Sequence, residues 1–107
     1  MSSEKRRLFL IGLGVTALSA LESLAQRFEV VGVVREATPG PDGKDEFVEL
    51  ASKLGLPLSL DASMRSVRTL VESSRPDCVV ISSYNRILPA DLLSLSKFIN
   101  VHYAPLP

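Results

Sequence analysis

The sequence is short of the residues that most directly announce chemistry. It has one cysteine and one histidine in 107 residues, and its 12 Lys+Arg balance its 12 Asp+Glu to a formal net charge of +0. A single cysteine excludes a disulfide within the chain, and a reducing cytoplasm is the default compartment for such a sequence. Cys78 stands in the apolar run Cys78-Val79-Val80-Ile81, where a buried, inert thiol is expected rather than a redox or nucleophilic one. One His and one Cys, with no paired-ligand spacing, give no metal site. Zero net charge offers no bulk attraction to nucleic acid or to an anionic membrane. The basic triplet Lys5-Arg6-Arg7 is expected to solvate the start of the first strand rather than to hold a phosphate. No apolar run approaches the roughly 20 residues of a membrane span. The run from Leu8 to Val15 is too short, contains Gly12 and Gly14, and lacks the small-residue cleavage site of a signal peptide. Repeats, low-complexity tracts and interdomain linkers are missing, as is a G-x-S-x-G elbow for a serine nucleophile.

What is present is the composition of one small globular domain over residues 1–107, 46% hydrophobic and 22% charged. Apolar character alternates between strand-like and helix-like spacing. Buried strands are predicted at Leu8–Leu13, Val30–Val34, Leu56–Leu60, Cys78–Ser82 and Phe98–Val101. Helices are predicted from Val15 to Arg27, after an N-cap at Asp45 until Gly55, after Asp61 or Ser63 until just before Pro76, and from Pro89 to Leu95. Arg35 to Lys44, with Pro39, Gly40, Pro41 and Gly43, reads as a loop. Five strands alternating with four helices predict an α/β, Rossmann-like, doubly wound parallel sheet. Right-handed crossovers would then bring Gly12–Gly14, Arg35, Ser82–Tyr84 and His102 to one edge. The last strand needs helical cover that does not follow it, so the sheet is expected to be incomplete at its C-terminal end and the chain to be a fragment of a longer protein.

Three patterns carry chemistry. Gly12-Leu13-Gly14-Val15-Thr16-Ala17 fits G-x-G-x-x-G/A between a strand and a helix, with Glu36 placed for a ribose and Arg35 for a 2′-phosphate. That reading makes the chain an NAD(P)-binding domain. The competing one has the glycines merely letting the first helix pack close to the sheet and Arg35 sitting solvated in a loop. Second, Tyr84-Asn85-Arg86-Ile87-Leu88-Pro89 follows the fourth strand, where it could wall a flat heterocycle or simply turn into a helix. Third, Asn100 and His102 lie two apart at the end of the fifth strand and share a face. One carries an amide dipole and the other titrates near neutral pH, at the strand ends where open α/β sheets place their sites.

Together, Asn-x-His with a Leu-Pro ending and an Arg-Ile-Leu turn after the fourth strand make the chain resemble the N-terminal domain of the 10-formyltetrahydrofolate-dependent formyltransferases. That family includes methionyl-tRNA formyltransferase, glycinamide ribonucleotide formyltransferase and the sugar N-formyltransferases. The likeness runs through nearly the whole chain, including Leu54-Gly55-Leu56-Pro57 and the spacing from Pro76-Asp77 to His102. It implies catalytic roles for Asn100 and His102, and a folate pocket lined by Arg86, Ile87 and Leu88 with Asn85 beside them. It implies 10-formyltetrahydrofolate as co-substrate and an amine acceptor such as methionyl-tRNA or a nucleotide-linked amino sugar, with zero net charge weighing against tRNA. The family's His-x-Ser-Leu-Leu-Pro is here His102-Tyr103-Ala104-Pro105-Leu106-Pro107. The catalytic Asp of the family lies beyond Pro107, so the isolated chain is expected to be inactive or nearly so. A non-catalytic domain that binds a ligand or a protein is the remaining alternative.

Overall fold

The computed structural model describes residues 6–13, 17–35, 45–82 and 97–101. The elements are β1 (Arg7–Gly12), α1 (Ala17–Arg27), β2 (Glu29–Val34), α2 (Glu46–Lys53), β3 (Leu58–Ser59), α3 (Met64–Ser74), β4 (Cys78–Ser82) and β5 (Lys97–Val101). They form a five-stranded sheet in the order β3-β2-β1-β4-β5, and every pairing is parallel. The Rossmann-like α/β architecture expected from the sequence is the one observed. The helix expected at Pro89–Leu95 lies outside the described residues.

Local chemistry sets the element ends. Asp45 is extended and accepts the Phe47 N–H at 2.9 Å, which caps α2. After Leu54, Gly55 takes φ +70°, a left-handed value that suits glycine and stops the helix. Ser63, rather than Asp61, caps α3 by accepting the Ser66 N–H at 3.3 Å, while the Asp61 carboxylate accepts the Ser63 N–H at 2.9 Å. Arg75 turns left-handed, at φ 46°, just before Pro76. The third strand is shorter than the predicted Leu56–Leu60. The Leu56 N–H bonds back to the Ala51 carbonyl at 2.9 Å, which keeps Leu56 with the end of α2. Pro57 has no N–H to give a ladder, though its carbonyl accepts from Val33 at 2.9 Å.

β1 is buried on both faces, and its alternate residues build separate cores. Phe9 and Ile11 join Val34, Val79, Ile81 and, from α3, Val67 and Val71. Leu8 and Leu10 join Val30, Val33, Val80 and residues of α1 and α2, among them Leu21, Phe47 and Ala51. Thus α1 and α2 cover one face and α3 the other. The basic triplet behaves as expected at Arg6 and Arg7, both exposed. Arg7 is nevertheless tethered: its guanidinium donates to the Ser74 carbonyl at 2.6 Å and lies 3.6 Å from Glu29.

The β1–β2 register slips between Leu8, which opposes Val30, and Phe9, which opposes Gly32, leaving Val31 as an extra residue. Phe9 is 1% exposed, and a Cβ at Gly32 would lie 2.8 Å from its ring. A buried ring cannot swing aside. Gly32→Ala is therefore expected to lower unfolding free energy by about 1–3 kcal/mol. An unchanged urea midpoint at unchanged slope would show that the ring moves freely.

Candidate active site

Strand order reverses at β1, whose neighbours β2 and β4 belong to opposite halves of the chain. In an open parallel sheet that reversal, at the carboxyl ends of the strands, is where ligands bind. The residues at these ends are Gly12 and Leu13 after β1, Arg35 after β2, Ser82 on β4 and Val101 on β5. Gly12 is in register with Ser82, and Ser82 with Val101. The Leu13 N–H donates to the Ser82 carbonyl at 2.9 Å, so pairing continues one residue past β1. Ser82 is fully buried and is the one buried polar residue among the described core. The edge thus joins an apolar Leu13, packed against the α3-side core, to a hydroxyl.

Asn100 lies on β5 in register with Ile81, and His102 follows the strand. His102 and the segment Asn85, Arg86, Ile87 and Leu88 lie outside the described residues. Because Ser82 pairs with Val101, the chain leaves β4 toward Asn85–Leu88 and leaves β5 toward His102 from neighbouring positions. Neighbouring strands are about 4.8 Å apart.

Of the glycine motif, Gly12, Leu13 and Ala17 are among the described residues. A Cβ at Gly12 would meet Phe47 Cε2 at 2.9 Å and Ala17 Cβ at 3.0 Å. Gly12 therefore serves close packing of α1 and α2, the simpler of the two readings of its sequence. Gly14 and Glu36 lie outside the described residues. Arg35, expected as a solvated loop charge, is instead largely enclosed. Its Nε donates to Asp45 Oδ2 at 2.9 Å and its Nη1 to the Gly12 carbonyl at 3.1 Å, with the guanidinium 5.0 Å from the Phe47 ring centroid. Burial pushes the Asp45 carboxyl up, but hydrogen bonds from Arg35 and the Phe47 N–H, with the Arg35 charge, outweigh it and hold the pKa below the ordinary value. Sequence reading missed this cluster because the pair is separated by a Pro/Gly-rich loop. The N-cap role of Asp45 was the one available signal.

Cys78, at the start of β4, is half-buried rather than buried, and burial raises its pKa. It lies on an apolar groove of about 360 Å³ lined by Leu8, Leu24, Phe28, Val80 and Ile99. That groove reaches Arg6, Asp77 and Lys97 at the amino ends of the strands, opposite the candidate site. Among the described residues, no helix is long and apolar enough to cross a membrane.

No protein-family model matches the chain. It does match curated proteins along most of its length. It is 29% identical over 111 residues to the methionyl-tRNA formyltransferase of Nitratiruptor sp., covering 94% of this chain and 36% of that protein. The enzyme of the same name from Myxococcus xanthus is 32% identical over 111 residues, covering 94% of this chain and 35% of the relative. Over nearly its whole length the chain is similar to formyltransferases, consistent with an N-terminal formyltransferase domain. It spans about a third of the length of the curated relatives it matches. Glycinamide ribonucleotide transformylase 1 from Geobacillus kaustophilus shares the fold, with a TM-score of 0.65 at 19% identity over 97% of this chain and 61% of that one. The enzyme of the same name from Symbiobacterium toebii gives 0.65 at 16% identity, over 99% and 55%. The two solved structures share the parallel-sheet fold described above.

Proposed function

We propose that this domain takes part in formyl transfer from 10-formyltetrahydrofolate to an amine, in a site formed by Asn100 and His102 with a folate pocket at Asn85, Arg86, Ile87 and Leu88. The observation that carries the proposal is the register of Ser82 with Val101 beside the strand-order reversal at β1. It starts the two candidate segments from adjacent points on the ligand edge of the sheet.

The folate supplies an activated, amide-like formyl carbonyl. Asn100 donates its side-chain N–H to the formyl oxygen as negative charge builds there. His102 accepts the proton from the attacking amine; as the new C–N bond forms, the formyl C–N10 bond breaks and the proton passes to N10 of the departing tetrahydrofolate. Asn100 and His102 are two positions apart, so an extended backbone through His102 gives both the same side of the sheet. The family's downstream Asp would orient the imidazole, as a third group does in related arrangements. The acceptor is proposed to be an amine of the kind formylated by the matched relatives, an aminoacyl-tRNA, or a nucleotide-linked amino sugar.

Equilibrium binding to the 107-residue chain tests the reading. Saturable binding of a 5-deaza or 10-formyl folate analogue is expected. Absence of folate binding, with saturable NAD(P)H binding in its place, would make the chain a dinucleotide domain instead.

A further inference from the structure

Two of the three large apolar side chains that stand exposed among the described residues flank one short strand. Leu54 closes α2 just before β3 and is 45% exposed, and Leu60 follows β3 and is 49% exposed. Exposed charges bracket the leucines: Lys53 is the last residue of α2, and Asp61 comes directly after Leu60. The Asp61 carboxylate is held at that point by the Ser63 N–H, at 2.9 Å. β3 is also the outermost strand on its side of the described sheet. The Pro57 and Ser59 carbonyls accept the N–H groups of Val33 and Arg35, each at 2.9 Å. Alternation along a strand then turns the N–H and C=O of Leu58 away from β2. On the α3 face a groove of about 270 Å³ continues the apolar surface, lined by Phe9, Val31, Pro57, Leu58 and Leu70.

We propose that this edge docks a second copy of the chain, with β3 antiparallel to β3 about a two-fold axis. A two-fold contact is made by one patch on itself, so the patch has to be self-complementary. Antiparallel docking sets the amino end of each β3 beside the carboxyl end of the other. Leu54 then comes against Leu60 of the other copy, and Lys53 against its Asp61, and the symmetry makes each contact twice. At the centre Leu58 meets its own equivalent, and two residues directly opposite can exchange both backbone hydrogen bonds. A two-residue strand that begins after a proline offers too little backbone to template further strands. The matched leucines and charges therefore carry the contact, and it closes at two copies. The edge lies away from the ends of β4 and β5, and the proposal does not depend on formyl transfer.

The test is sedimentation equilibrium of the full chain from micromolar to sub-millimolar concentration. A reversible monomer–dimer equilibrium is expected for the wild type. Leu60→Glu, at an exposed position, puts a carboxylate into both apolar contacts and is expected to weaken the dimer at least ~10-fold. Lys53→Glu sets carboxylate against carboxylate at both symmetric positions, and Asp61→Lys sets ammonium against ammonium. Each alone is expected to weaken the dimer at least ~10-fold. Mixed one to one, these two charge variants are expected to regain near-wild-type association. In the mixed dimer one contact has its charges exchanged and the other keeps the native pair. A wild-type chain that stays monomeric throughout overturns the proposal. So does a dimer that Leu60→Glu leaves unweakened, or a mixture of the two charge variants that stays monomeric although each melts cooperatively.

Discussion

His102→Ala is expected to lower formyl transfer by at least ~10², and Asn100→Ala by ~10²–10³, in a polypeptide that carries this domain and extends beyond Pro107. The two losses have different causes. Without His102 the attacking amine must shed its proton to water, and the rate should lose its dependence on a group titrating near neutral pH. Without Asn100 the developing charge on the formyl oxygen loses one fixed donor, worth about 3 kcal/mol of barrier. Because Asn100 is in register with Ile81 on β4, truncating it removes a side chain and leaves the ladder to Ile81 in place. Folate-analogue affinity should therefore stay within a few-fold of wild type while turnover falls. The measurement is kcat and KM for both variants across pH, with analogue binding measured separately. A loss of less than tenfold for His102→Ala, or an unchanged pH profile, would remove the proton-transfer role.

The sheet was legible from residues because its strands are short apolar runs bounded by strong breakers. Cys78–Ser82 lies between Pro76-Asp77 and a polar segment, and its observed limits coincide with those expected. The N-caps at Asp45 and Ser63 and the stop at Gly55 follow from side-chain chemistry that acts within a few residues. The third strand was overestimated because Leu56 looks like strand by composition, yet its N–H is captured by the end of α2. The bulge at Val31 was not legible, since it depends on a Phe9 ring arriving from another strand over Gly32. Arg35 was misjudged for the same reason. Nothing local distinguishes a solvated loop arginine from one enclosed by Asp45 and Phe47, whose approach is set by how α2 docks. In the candidate site, Asn100 falls on β5 as its apolar run predicts, whereas His102 lies outside the described residues. The sheet adds the neighbouring Ser82–Val101 exit points, which fix how close their segment starts to the one holding Arg86.

The largest expected change in stability is at the Arg35–Asp45 pair. Arg35→Ala should cost about 1.5–3 kcal/mol, because it leaves a part-buried carboxylate without its cation. Its pairing at 2.9 Å, with side chains 14% and 15% exposed, sets it apart from a surface pair, whose loss costs about 0–1 kcal/mol. The double variant Arg35→Ala/Asp45→Ser should be more stable than Arg35→Ala alone, since no charge is stranded and the cap on α2 survives. Urea unfolding of the wild type, the single variant and the double variant distinguishes these outcomes. Acid gives a second reading of the same pair. The folded-state pKa of Asp45 is depressed below its ordinary value, so the carboxylate binds fewer protons folded than unfolded. Its contribution is present above the unfolded value of about 4 and is lost as pH falls from there through the lower folded pKa. In Arg35→Ala the hydrogen bond and the charge that depress it are gone, and burial still opposes ionisation, so this acid-side loss should shrink. If Arg35→Ala costs less than about 1 kcal/mol, the ion pair is solvent-screened in solution. An acid-side stability curve parallel to the wild type would lead to the same conclusion.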